Sequence, residues 1–436
     1  MILGGLAAVS TFRPGVALAA LFCNFALEQW VTSQDVFFAQ HKALTNYLTA
    51  SVVAYAVVIQ LLRFGASWTI KQYSGAGWAT LSLFAFALMS TYWSVYAESK
   101  DAFLLALPYI IGYTVLCPLV VTKAKDLQDG LVATLVLGSI LLFLLLTTTS
   151  WGYRGIIIHT HGFRGQAGGN PLAIGSMAGY VILMAALLNT RRSNFLWNIV
   201  RWALVLLGLV LCVMTQSRGQ VFGALIAFVC TVGISRKVKG AKGIGGVVAA
   251  IVVTGILAAW AINEYAHKDR WEMGEMQAAM EGGRVNKTLD VLAYWADAGP
   301  MRWMFGIGSS GSFSSDVIGF YPHNLPGEVL AEEGLIGFGM YAIVLVLLVR
   351  ALRQLWGVVR PYDDARGLFA VLCALLVYEF ILSNKQGSLL GNQEFFGMTI
   401  IAGQLNVAVR RQLNISASGA KRKPPRLATQ RPQVTV

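Results

Sequence analysis

The chain has 436 residues, 56% hydrophobic and only 13% charged, with a formal net charge of +13. A mean hydropathy of +0.61 excludes an ordinary soluble domain, in which about a quarter of residues are charged. Apolar runs of about 20 residues, the length needed to cross a hydrocarbon core, recur throughout, so the expected fold is an all-α polytopic membrane protein. The short alternating segments of a membrane β-barrel do not occur.

In chain order, helices are expected near 14–32, 43–62, 76–96, 102–121, 128–148, 171–189, 199–216, 219–235, 244–262, 325–349, 367–383 and 391–408, twelve spans in all. Phe12-Arg13-Pro14 precedes the first, and no convincing small-residue cleavage site follows, so that run reads as a retained helix and not a signal peptide. The organisation expected is 1–262 as nine spans with short loops, 263–322 as one long loop, 323–410 as the last three spans, and 411–436 as a basic tail.

Basic residues orient these spans. With the N-terminus inside, 23 of the 34 Lys and Arg residues fall in cytoplasmic segments, among them Arg236, Lys237, Lys239 and Lys242, and the remaining 11 face the other side. This bias is that of the positive-inside rule. It places both termini in the cytoplasm and the 263–322 loop outside. Much of the net charge is then topology signal and attraction to anionic membrane lipids. Its spread over many short loops argues against nucleic acid, and Lys421-Arg422-Lys423-Pro424-Pro425-Arg426 reads as a lipid-facing tail.

Cys23, Cys117, Cys212, Cys230 and Cys373 all fall within expected spans, so no structural disulfide is expected. No CxxC, HExxH or Cys/His cluster suggests a metal, and no cofactor motif stands in a suitable context. Gly306-Ile307-Gly308-Ser309-Ser310-Gly311 matches GxGxxG, but it lies in an external loop without the βαβ unit that a dinucleotide site requires. It is either a tight Gly/Ser turn or a set of backbone N–H groups lining a polar cavity.

The external Arg residues each need a reason. Arg154 and Arg164 lie in the 149–170 loop, Arg218 in the turn Thr215-Gln216-Ser217-Arg218-Gly219-Gln220, and Arg270, Arg284 and Arg302 in the long loop. Snorkelling or pairing with loop carboxylates is the bland reading. A charge in so short and apolar a turn as that of Arg218 is costly without a partner or an anionic ligand. Several guanidinium groups on one face suit phosphate oxygens. Trp271, Trp295 and Trp303 would stack on sugars or anchor the loop at the interface.

His323 is the leading candidate for chemistry. Asn324 is placed to cap the next helix, with Pro326 in its first turn. The positive end of the helix dipole disfavours imidazolium, and a neutral imidazole can take a proton from a sugar hydroxyl or orient it. A polar residue near a helix cap is the bland alternative.

The run from His323-Asn324 through nine residues to Gly334 resembles the signature of the O-antigen ligase and polymerase superfamily: His, then Asn, Ser or Gln, then nine residues, then Gly. Gly283-Arg284, Trp295 and Gly306-Ile307-Gly308 resemble that family's long periplasmic loop. Thr215-Gln216-Ser217-Arg218-Gly219 resembles its other recurrent Arg position, and Arg164-Gly165 with Asn170-Pro171 its earlier loop. The resemblance implies a membrane-embedded glycosyltransferase similar to the GT-C class, metal-independent and inverting. It would move O-antigen from undecaprenyl pyrophosphate to the lipid A-core oligosaccharide, on the periplasmic side of the inner membrane. It further implies that His323 activates the acceptor hydroxyl. Arg218 and Arg284 would hold the pyrophosphate, joined by Arg164, with Asn324, Arg154 and Trp295 as further substrate contacts. O-antigen polymerase and protein O-oligosaccharyltransferase share the motif. An anion transporter, a different class, would favour internal repeats and broken helices at mid-membrane.

Overall fold

A computed structural model describes residues 2–65, 73–152, 155–158, 167–168, 170–188, 195–235, 240–266 and 285–421. The chain is almost wholly helical, an all-α polytopic membrane protein. Among the described residues, eight helices are long and apolar enough to cross a membrane. A ninth span counts if Pro14–Phe22 and Asn24–Gln34, bent by 60°, form one crossing. Gly75–Ser90 and Pro171–Leu187 are shorter apolar helices, and the final expected span falls within Gln393–Lys421. Every expected run is thus helical, while eight or nine meet the full-length test.

Several boundaries differ from expectation for one reason: hydropathy marks where a helix meets lipid and not where its hydrogen bonding stops. Leu325–Val359 runs past residue 349, and the last helix continues to Lys421, into the segment expected as tail. A short helix, Ile2–Ser10, precedes the first expected span. The expected 263–322 loop contains two helices, Val285–Asp297 and Pro300–Phe305. The 149–170 loop holds three short antiparallel strands, Ser150–Gly152, Gly155–Ile158 and Ala167–Gly168, where an all-helical reading had none. The Ile156-Ile157-Ile158 run that forms the middle strand is β-branched and too short for a helix.

Hydrogen bonds sort the connections to two ends of the bundle. At one end, Gln34 meets Thr148, Asn170 meets Gln29, Gln216 meets the Tyr265 carbonyl, Ser94 meets the Ser309 carbonyl, and Asn324 meets the Asn384 carbonyl. At the other, Arg13 pairs with Asp129 at 3.8 Å, Arg63 reaches the Thr11 carbonyl, and Arg201 donates to Ala185 at 2.8 Å. The helices Pro171–Leu187, Arg218–Ser235 and Asp363–Gln386 meet around the fully buried Tyr378, whose hydroxyl donates to the Gly175 carbonyl at 3.2 Å. A Cβ on Gly179 would lie 2.3 Å from that hydroxyl oxygen, so only the bare backbone permits this approach. This tight trio fixes where Arg218 and the C-terminal turn of the 363–386 helix sit.

Candidate functional site

The signature's nine-residue spacing has a structural cause. Asn324, extended at φ −143°, caps the helix from Leu325, its Oδ1 accepting from the Gly327 N–H at 2.8 Å. This is the cap that Asn324 and Pro326 predict. From Leu325 the helix runs through Glu333 and breaks at Gly334, whose φ of +66° and ψ of −168° are not helical. Nine residues are therefore one short half-helix, with His323-Asn324 at its start and a kink at its end.

The Gly/Ser segment locks that kink. Ile307 and Gly308 donate to the carbonyls of Ala331 and Glu332, both at 2.9 Å. The Glu332 carboxylate accepts from Ser310 N at 2.7 Å, Ser312 N at 3.0 Å and Ser312 Oγ at 2.6 Å. The Ser309 carbonyl accepts from Ser94 and Ser99, and its N–H donates to Ser90 Oγ at 2.9 Å. Of the two readings of GxGxxG, the tight turn is the one found. Its Ser310 and Ser312 N–H groups are spent on a buried carboxylate and do not line a cavity.

His323 itself has φ +60°, a left-handed conformation uncommon for a residue other than Gly or Asn. It is half-buried, its ring centroid 4.1 Å from Tyr321 and 5.0 Å from Phe320. Thr288 Oγ1, on the Val285–Asp297 helix, donates to the Pro322 carbonyl at 3.0 Å. Lys287 on the same helix sets its ammonium 4.4 Å from the centre of the Phe320 ring, a cation–π contact. The backbone is thus held from both sides of His323, by the Thr288 bond before it and the Asn324 cap after it. Non-Gly residues kept in such conformations cost of order 1–3 kcal/mol and cluster at functional sites.

Arg218 opens the Arg218–Ser235 helix, half-buried, behind a turn in which Gln216 is also left-handed at φ +54°. Ser217 Oγ donates to Gln220 Oε1, and Lys385 Nζ lies 3.4 Å from the same oxygen. Asn384, next to Lys385, accepts from Asn324 Nδ2 at 3.5 Å. Three elements that are distant in sequence therefore meet at one end of the bundle: the Arg218 turn, the close of the 363–386 helix, and the His323-Asn324 corner. Lys385 and Asn384 were not singled out from the sequence. The available signal was a cation, Lys385, at the non-cytoplasmic side of an expected span.

Trp295 is half-buried, and its indole N–H donates to the Arg302 carbonyl at 2.8 Å, while that of Trp303 donates to Ala296 at 2.7 Å. Both tie the two loop helices together. Arg154, Arg164, Arg270, Arg284, Trp271 and the 422–436 tail lie outside the described residues. A cavity of about 210 Å³ also opens at this end, with Asn170, Tyr180, Glu379, Asn392 and Glu394 in its lining. Neither carboxylate was singled out from the sequence, because each lies in an apolar run whose partner is on another helix.

The fold and this convergence of polar side chains at one end define a multi-pass helical membrane protein with an enzyme-like site built from distant segments. Residues 202–342, about a third of the chain, match the family model described as O-antigen ligase. The matched stretch includes Arg218, Arg284, Trp295, His323 and Asn324 and ends before Lys385. No curated protein matches the chain. Among solved structures, a chain from "Structural coordination of polymerization and crosslinking by a peptidoglycan synthase complex" is similar at 14% identity and a TM-score of 0.45, covering 79% of this chain and 98% of its own.

Proposed function

We propose that the protein is an O-antigen ligase. It moves a polysaccharide from undecaprenyl pyrophosphate to the lipid A-core oligosaccharide, with the His323 end of the bundle at the periplasmic face of a bacterial inner membrane and both termini in the cytoplasm. The family-model match over 202–342 supports a glycosyltransferase acting on lipid-linked polysaccharide. The observation that carries the reading is His323 held left-handed at a capped helix start, within the same cluster as the Arg218 turn.

The chemistry follows from that arrangement. An acceptor hydroxyl attacks the anomeric carbon as its proton passes to the His323 imidazole. The bond from that carbon to the diphosphate oxygen breaks, and the electron pair leaves on the phosphate. Fixed guanidinium groups aimed at this oxygen stabilise the transition state more than the ground state. Arg218 supplies one such group, and Arg284 and Arg164 are assigned beside it on the family resemblance. A diphosphate is a good leaving group, so neither a strong acid nor a metal is required by this scheme. Arg154, Asn324 and the Trp295 ring remain as contacts to the sugars.

Complementation tests the function. In a strain lacking its own ligase, the gene is expected to place long polysaccharide on lipopolysaccharide. Lengthened chains that stay on the carrier lipid would identify a polymerase instead, and glycan on a pilin-like protein would identify an oligosaccharyltransferase. Arg218→Ala is expected to lose about 2–4 kcal/mol of transition-state stabilisation, on the scale of an oxyanion-hole donor. Arg218→Lys should fail almost as badly, because the planar two-pronged donor is lost while the charge remains. A Lys variant turning over at near wild-type rate would reduce Arg218 to general electrostatics.

A further inference from the structure

We propose that Lys385 is a direct ligand of the donor's diphosphate, an inference that rests on the reading of Arg218 above. Lys385 lies in the last turn of the Asp363–Gln386 helix, yet its side chain runs sideways across the start of a different one. A Cβ placed on Gly219 would fall 2.1 Å from Lys385 Cδ, 2.3 Å from Cε and 2.1 Å from Nζ. The missing side chain at 219 is therefore the groove in which the lysine lies. Its ammonium reaches 3.4 Å from Gln220 Oε1, which also accepts from Ser217 Oγ. Those two contacts hold the charge beside Arg218, the first residue of that helix.

Two positive features thus meet at the residue next to Arg218: the Lys385 ammonium and the N–H end of an 18-residue helix that Arg218 itself opens. Packing a flexible lysine against the positive end of a dipole opposes the ordinary preference for anions there. A diphosphate, with charge spread over two phosphoryl groups, is the ligand that uses both together with the Arg218 guanidinium. The division of labour is chemical. Arg218 offers a planar fork to one phosphoryl group, and Lys385 a compact point charge to its neighbour. The link from Asn384 to Asn324 sets this cation at the same corner as His323, so the diphosphate would lie beside the sugar being transferred.

The test is binding to the full chain in phosphatidylcholine nanodiscs, with geranylgeranyl diphosphate as probe and geranylgeranyl monophosphate and phosphatidylglycerol as competitors. Lys385→Met is expected to weaken diphosphate binding at least 10-fold, Lys385→Arg no more than about 3-fold, with monophosphate affinity little changed. Gly219→Ala should weaken diphosphate binding by evicting the lysine, and should cost nothing further when Lys385 is already Ala. That double cycle also reports on Lys385 if the Met variant does not insert. Unchanged diphosphate affinity in Lys385→Met, with Arg218→Ala still impaired, would overturn the Lys385 assignment alone. Equal losses for mono- and diphosphate, or for phosphatidylglycerol, would overturn it in favour of a general anion or lipid contact. A wild-type protein that ignores the diphosphate would bring down both readings.

Discussion

His323→Ala is expected to lower polysaccharide transfer by about 10²–10⁴-fold, the usual contribution of a general base, while insertion, purification and donor binding persist. The cap and the backbone bond that flank His323 are made by its neighbours, so losing the imidazole should not unseat the helix. Asn324 makes the cap, and Thr288 holds the Pro322 carbonyl. The left-handed backbone provides a sharper control. Asn tolerates that conformation better than most residues, so His323→Asn should melt no lower than wild type and still be inactive. An Ala variant with near-normal transfer would end the catalytic assignment. Collapse of both variants would make His323 a structural residue.

How much of this was legible in the sequence depended on the range of the interactions involved. Bilayer thickness sets a length that any chain must meet, so the apolar runs were readable as spans. Asn324 as cap, with Pro326 behind it, rests on contacts within one helical turn and was equally readable. Glu332 was not, since a carboxylate in an apolar run says nothing of the Ser310 and Ser312 N–H groups brought to it by another segment. Lys385 was not, because its meaning comes from the groove at Gly219 on a different helix. The kink at Gly334 was hidden for another reason. Its flanks, Glu333 and Leu335, continue a helical pattern without punctuation, and one Gly in a membrane helix is unremarkable in composition.

The same kink yields the second large effect. Gly334→Ala is expected to destabilise the protein by about 2–5 kcal/mol, combining the strain of a positive φ with the cost of overpacking. The added methyl would sit 2.4 Å from both the Gly306 nitrogen and the Met304 carbonyl oxygen. Both are backbone atoms, so no change of rotamer relieves the clash. The half-helix from Leu325 would have to tilt away from the Gly306–Ser312 turn, loosening the Glu332 bonds at one end and shifting His323 at the other. Transfer should therefore fall along with the melting temperature. Gly339→Ala, a few residues on in the same helix and with open space around its Cβ, is the matched control. Replacing a helical Gly by Ala should there be neutral or stabilising by about 0.5–1 kcal/mol. A Gly334→Ala protein as stable and as active as the Gly339→Ala control would mean that the half-helix is not what positions His323.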